Sequence, residues 1–281
     1  MRSSTMFRLL AGLSLLVPLT ALAAQPCEHS AARSLALDLT GVKAVVFEVN
    51  SHDLRLSASP GAPAALKGRA CAFKADALKQ LTVTQTRQGD KLVVRLDRDG
   101  PLFKLFGDHY AYLDITGTLP DNLPVQLVVG SGDAQIDGAS IVSADVGSGD
   151  ARVHRTRGLV AATVGSGDVE IDVAGSLKII AINSGDAIAR DIRGAVEVGE
   201  IGSGDFELER ATGNVSIGSI GSGNATVRNV GGNVQVGRVG SGNIEARDVR
   251  GTLTVEDIGS GDIEHAGVAG AISLPKTYQG D

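Results

Sequence analysis

The chain has 281 residues, of which 37 are glycine and 8 proline; aromatics make up 3% and tryptophan is absent. Glycine at about twice its usual share with so little proline fits neither a collagen nor a disordered composition. With 26 basic and 32 acidic residues the net charge is -6, which excludes a broadly basic surface for nucleic acid or anionic lipid; the length suits one or two domains with a true core.

Residues 1–23 read as a secretory signal. Arg2 and Arg8 precede the apolar run from Leu9 to Val17, and Ala21-Leu22-Ala23 supplies a small-x-small cleavage pattern. The run is shorter than the roughly 20 residues of a spanning helix and meets Pro18. Cys27 does not directly follow the cleavage pattern, so a lipoprotein anchor is not expected, and no later segment is long and apolar enough to span. The chain is therefore expected to be exported, periplasmic or secreted to the cell surface. Such compartments permit disulfides, and Cys27 and Cys71 are the only cysteines. A bridge between them would contribute about 4 kcal/mol on the chain-entropy model. The alternative, a pair of metal-ligating thiols, lacks a second pair or a histidine cluster.

Residues 24–129 read as a β-rich region that starts the fold and caps one end of it. Strands are predicted over 34–39, 42–56, 78–86, 91–96, 110–119 and 125–129, with hairpin turns at Asn50-Ser51-His52-Asp53 and Arg87-Gln88-Gly89-Asp90. Between them, Leu102, Phe103, Leu105 and Phe106 crowd into five positions. They form either a loop packed over the cap or a partner-binding loop.

Residues 130–273 carry a repeat. Gly-Ser-Gly-Asp begins at Gly130, Gly147, Gly165, Gly202 and Gly259, recurs with Asn183 in the first place, and ends in Asn at Gly221 and Gly240. Successive starts are separated by 17, 18, 18, 19, 19, 19 and 19 residues. The closing pairs are Gly132-Asp133, Gly149-Asp150, Gly167-Asp168, Gly185-Asp186, Gly204-Asp205, Gly223-Asn224, Gly242-Asn243 and Gly261-Asp262. Each period has two halves, and each half places apolar residues two, four and seven positions after a glycine. Phe206, Leu208 and Ala211, followed by Val215, Ile217 and Ile220, illustrate it. Alternation by two is a strand signal, and the step of three marks a bend or bulge.

Two short strands and two turns per period predict an all-β fold, a parallel β-solenoid of about eight coils. One coil alone cannot bury its apolar face, but stacked coils can. Packing supports the stacking, since Phe206 falls between Ala187 and Ala225 on adjacent coils. Outside, Arg190, Glu209 and Arg228 follow one another at offset five, and Asp191, Arg210, Asn229 and Asp248 at offset six. Opposite charges on adjacent rungs are expected to pair. The turn glycines are expected to supply positive φ, with each Asp or Asn accepting N–H groups of its own turn. A second reading takes Asp133, Asp150, Asp168, Asp186 and Asp205 as a carboxylate column binding calcium. Asn224 and Asn243 in the same file count against it. Residues 274–281 read as a polar tail.

No catalytic motif appears: there is no Gly-x-Ser-x-Gly elbow, phosphate loop or His-Glu-x-x-His, and the five histidines are scattered. Constant coil lengths leave no long loops to wall a polysaccharide-lyase cleft. No catalytic residue, metal or cofactor is therefore expected.

The Gly-Ser-Gly-Asp/Asn series, led in by Tyr112-Leu113-Asp114-Ile115-Thr116-Gly117-Thr118-Leu119-Pro120, resembles bacterial adhesin families with GSG β-strand repeats, among them the putative auto-transporter adhesin head (GIN) domain. The resemblance covers roughly residues 36–270. It implies a right-handed, two-sheeted β-helix with a tight turn at each GSG and a role in cell-surface adhesion. No carboxy-terminal barrel or anchor is expected from residues 274–281, a departure from auto-transporters. The expected function is that of a non-catalytic, adhesin-like or envelope structural protein whose partner is an envelope or surface component; the reading also allows a homo-oligomer.

Overall fold

The computed structural model describes residues 27–99 and 110–276. The predicted signal segment, and the loop residues Leu102, Phe103, Leu105 and Phe106, lie outside them. The protein is a β-solenoid of about eight turns. Among the described residues its strands form two sheets of 12, one on each side of a single aliphatic core. From Val125 onward the chain alternates between sheets, and each strand pairs in parallel with its counterpart one coil earlier.

The inward positions are those of the repeat. Phe206, Leu208, Ala211, Val215, Ile217 and Ile220 are all at most 3% exposed. Phe206 lies in register with Ala187 on one side and Ala225 on the other, so the one ring in the repeat has two methyl groups as neighbours. The step of three also has a local cause. The residue at offset six adopts left-handed backbone in coil after coil: Gly138 (φ 84°), Arg155 (52°), Val173 (59°), Asp191 (57°), Arg210 (67°), Asn229 (58°), Asp248 (54°) and Gly267 (67°). This turns the next side chain, at offset seven, into the core.

The period lengthens along the rod for two reasons. First, the corner between halves gains a residue: Ala139 to Val142 is three steps, whereas Thr156 to Val160 is four. Second, the later strands carry a bulge. Val160, Ala162 and Val164 alternate evenly, but opposite them the ladder jumps from Ile179 to Ala181. Beyond Ile180, Gly199, Gly218 and Gly237 occupy this bulge, where a Cβ would stand 2.3, 2.4 and 2.5 Å from the carbonyl of the previous coil.

The amino-terminal region is woven into the same stack. Its strands are β1 (His29–Ala36), β2 (Ala44–Asn50), β3 (Asp53–Ser59), β4 (Ala65–Ala72), β5 (Leu81–Gln88), β6 (Lys91–Arg98) and β7 (Ala111–Pro120). They are followed by β8 (Val125–Val129) and β9 (Asp133–Asp137). β2 and β3 make one coil; β8 and β9 stack on one side of it, β6 and β7 on the other. β1 and β4 then run antiparallel beyond β7, and β5 antiparallel beyond β6. The turn Arg87–Asp90 is a hairpin as predicted, with Gly89 at φ 63°. The one expected at Asn50–Asp53 is not a hairpin, because β2 and β3 lie in different sheets and the segment is a coil corner. β4 was not predicted, since it points Leu66, Gly68 and Ala70 inward instead of three large aliphatics. Gly68 is needed there, as a Cβ would stand 2.1 Å from the Asp114 carbonyl of β7.

The disulfide is formed: Cys27 and Cys71 are bonded, with Cα atoms 5.1 Å apart, tying the residues before β1 to β4.

Candidate functional site

The Gly-Ser-Gly-Asp corners stand in one file along the rod. The amide of each serine donates to the first residue of the preceding corner, as Ser203 does to Asn183 at 2.7 Å and Ser222 to Gly202 at 2.7 Å. The reason for glycine differs from the expectation. None of the motif glycines has positive φ. Instead, the third position is closed by the coil below it. A Cβ on Gly149, Gly167, Gly185, Gly204, Gly223, Gly242 or Gly261 would lie 1.7 to 1.8 Å from the carbonyl oxygen of the previous corner's glycine. At the first position the corresponding distances are 2.5 to 2.8 Å, and that place accepts Asn183.

The file has one more member than the repeat search finds. Asn50-Ser51-His52-Asp53 occupies the corner below Gly130: Ser131 and Gly132 donate to the Asn50 carbonyl at 2.8 and 2.9 Å, and Asp133 to that of His52 at 3.0 Å. Its Asn-Ser-x-Asp pattern, shared with Asn183-Ser184-Gly185-Asp186, is the signal that could have revealed it.

The acidic residues also behave differently from the expectation. Among the described residues Asp262 alone accepts from its own turn, from the Ile263 amide at 2.8 Å, while others reach to the next coil. Asp168 accepts from the Asp186 amide, Asp186 from Asp205, Asp205 from Asn224, and Asn243 from Asp262, all at 2.8 to 3.0 Å. Asn224 and Asn243 continue the chain, the Asn243 side-chain Nδ2 donating to the Asn224 side-chain Oδ1 at 3.0 Å. A short acceptor serves here whether or not it is charged, which accounts for the Asn substitutions. Among the described residues no group of three or more His, Cys, Asp or Glu side chains is arranged to hold a metal ion.

At the start of the file Asp114, Asp53 and Asp133 are in direct register. Burial raises the Asp53 carboxyl above the ordinary range, and the charges of Asp133 and Asp114 add to this. Beside it His52 is fully buried; its Nδ1 accepts the Leu113 amide at 3.3 Å, while its Nε2 has no partner among the described residues. Burial, then the Arg98 charge, lowers the His52 pKa to about 4.

The outer charges pair partly as expected. Arg210 binds Asp191 of the previous coil at 2.6 and 3.1 Å and also Glu209 beside it. Arg190 and Arg228 do not pair with Glu209. They reach diagonally to carboxylates at offset three, Arg190 to Glu170, and Arg228 to Glu207 at 3.5 Å and Glu245 at 3.1 Å. Diagonal neighbours lie within reach of long side chains, and a guanidinium at offset five meets a carboxylate two positions along.

The left-handed column shapes a groove of about 1010 Å³ running along the rod from Val173 to Ala269. Offset six, with Asp191, Arg210, Asn229 and Asp248, forms one wall; offset eight, with Arg193, Thr212, Gly231 and Arg250, forms the other. The floor is the buried row Ile192, Ala211, Val230 and Val249. Sequence reasoning followed offsets five and six and missed offset eight, although Arg193 and Arg250 recur there at a multiple of the period.

No family model matches the chain, and no curated protein matches it. Several solved structures are similar to it. A putative adhesin from Parabacteroides merdae superposes with a TM-score of 0.54 at 12% identity, over 85% of this chain and 97% of that one. A putative lipid binding protein from Parabacteroides distasonis gives 0.47 at 16%, over 89% and 98%. A putative cell adhesion protein from Clostridium sporogenes gives 0.33 at 12%, over 88% and 99%. The first of these likenesses establishes a common fold.

Proposed function

We propose that the protein is a non-catalytic, exported binding protein of the bacterial envelope or cell surface, adhesin-like in its use of a rigid rod. The observation that carries this reading is the groove: a long polar channel along near-identical coils, with arginines on both walls, suits holding an extended partner and offers no convergent acid–base pair. The fold shared with a structure described as a putative adhesin agrees with it. The disulfide suits an oxidising compartment, and no helix among the described residues is long and apolar enough to cross a membrane. In this reading residues 1–23 are removed on export, residues 24–129 start the rod, and the Gly-Ser-Gly-Asp file is a stacking device and not a binding site. The test is fractionation of the producing cell, then crosslinking and pull-down with the mature protein. Recovery of envelope or host-surface material in native salt supports the assignment, and failure to retain any would end it.

A further inference from the structure

The geometry points to an acidic polysaccharide as the occupant of the groove; this rests on the binding reading above and gives it a ligand class. The groove's own backbone supplies the first reason. The amides of Arg193, Thr212, Gly231, Arg250 and Ala269 each donate to the carbonyl of the coil below, to Ala174, Ile192, Ala211, Val230 and Val249, at 2.7 to 3.0 Å. A peptide laid here would find none of these donors free, so recognition by strand addition is closed. The floor is sealed, with Ile192, Ala211, Val230 and Val249 at most 3% exposed, and there are no side-chain pockets to read alternate residues of a peptide.

Recognition therefore falls to the wall side chains. Arg193 and Arg250 are exposed and, among the described residues, their guanidiniums have no ion-pair or hydrogen-bond partner, unlike that of Arg210 between them. They stand on the same wall three coils apart, about 14 Å at the usual strand spacing. Only Thr212 and Gly231 come between them on that wall, which keeps it low. Two unengaged guanidiniums in a chain of net charge -6 call for anionic groups that recur along a ligand, which planar bidentate guanidinium binding suits. Opposite them Asn229 and Asp248 offer acceptors for hydroxyl groups. Repeated acid groups on a hydroxyl-rich, extended backbone describe a uronate-type glycan. Nucleic acid fits less well, because the lining holds no aromatic side chain on which a base could stack.

The experiment uses the full mature chain and polygalacturonate, with neutral dextran and polyglutamate as comparison polymers. Polygalacturonate is expected to bind in low salt and to weaken as salt rises, with dextran silent. Arg193→Ala combined with Arg250→Ala should lower the affinity at least tenfold while the melting temperature stays put. Lys178→Ala with Arg238→Ala, on the other sheet, should leave binding unchanged. Unchanged affinity in the first double variant would place the site elsewhere, and polyglutamate binding equally well would reduce the groove to a charge effect. Retention of envelope material without any polygalacturonate binding would overturn this inference and leave the adhesin-like reading intact. Loss of both would remove the two together.

Discussion

At a single motif corner the first and third glycines look equivalent in sequence, but the stack separates them. A Cβ on Gly204 would stand 1.8 Å from the Gly185 oxygen, a rigid backbone atom that is itself fixed by the ladder. On Gly202 it would meet the Asn183 oxygen at 2.7 Å, at a position where Asn183 and Asn50 are already accommodated. Gly204→Ala is accordingly expected to destabilise by about 3 kcal/mol or more, and Gly202→Ala by about 1 kcal/mol, as read from urea unfolding. The histidine in the third place of the first corner gives a second residue-level prediction. Unfolded, His52 takes up a proton near pH 6.5; folded, it resists until about pH 4. The unfolded chain thus binds the extra proton in that window, and stability falls as pH drops through it, by about 3 kcal/mol in total. Asp53 acts in the opposite sense, since its raised pKa means that acidification relieves a cost of its burial. Comparing His52→Gln with the parent at pH 7.5 and 4.5 isolates the histidine: the variant's curve should be the flatter one.

Within one half-coil, the step of three was legible as a bend, but its mechanism was not. Offset six mixes Gly138, Asp191, Asn229, Asp248 and Gly267, which suit left-handed backbone, with Arg155, Val173 and Arg210, which do not signal it. The conformation is imposed by stacking, because each bend must match the one beneath it, and composition records that only weakly. Val173 shows the cost. A β-branched residue at φ 59° is disfavoured by about 1–2 kcal/mol, whereas Asn, present at Asn229, tolerates the region. Val173→Asn should therefore raise stability by about 1 kcal/mol, seen as a higher urea midpoint with an unchanged slope; a loss would show that packing of the half-buried valine outweighs its backbone. Thr156 is a second misfit, an inward threonine whose hydroxyl has no partner among the described residues, in a row otherwise filled by Ala139, Ala174, Ile192 and Val230. Thr156→Val should stabilise by about 1 kcal/mol in the same assay. The alternating aliphatics were legible because burial acts on each side chain separately. The neighbour-dependent features, namely the closed third position, the cross-coil Asp contacts and offset eight, were not, since they exist only once coils are superposed.

Along the whole rod each coil touches only its neighbours, so stability accumulates as intrinsic and interface contributions, and a local loss stays local. The amino-terminal end tests this. There the order of coils departs from the order of the chain, β6 and β7 lying outside β2 and β3, so closing that end requires long loops between strands that pair. The Cys27–Cys71 bridge, with a sequence separation of 44, removes part of that entropy from the unfolded state, about 4 kcal/mol on the chain-entropy model. It holds β4, which pairs with both β1 and β7 and so covers the edge that β7 would otherwise present. Reduction should therefore loosen the end and not the rod. Hydrogen exchange before and after reduction is expected to show protection lost across β1, β4 and β7, while the strands Phe206–Ala211 and Val215–Ile220 keep theirs. A uniform loss along the chain would instead mean that the coils unfold as one cooperative unit. The nearest-neighbour account of the solenoid would then fail.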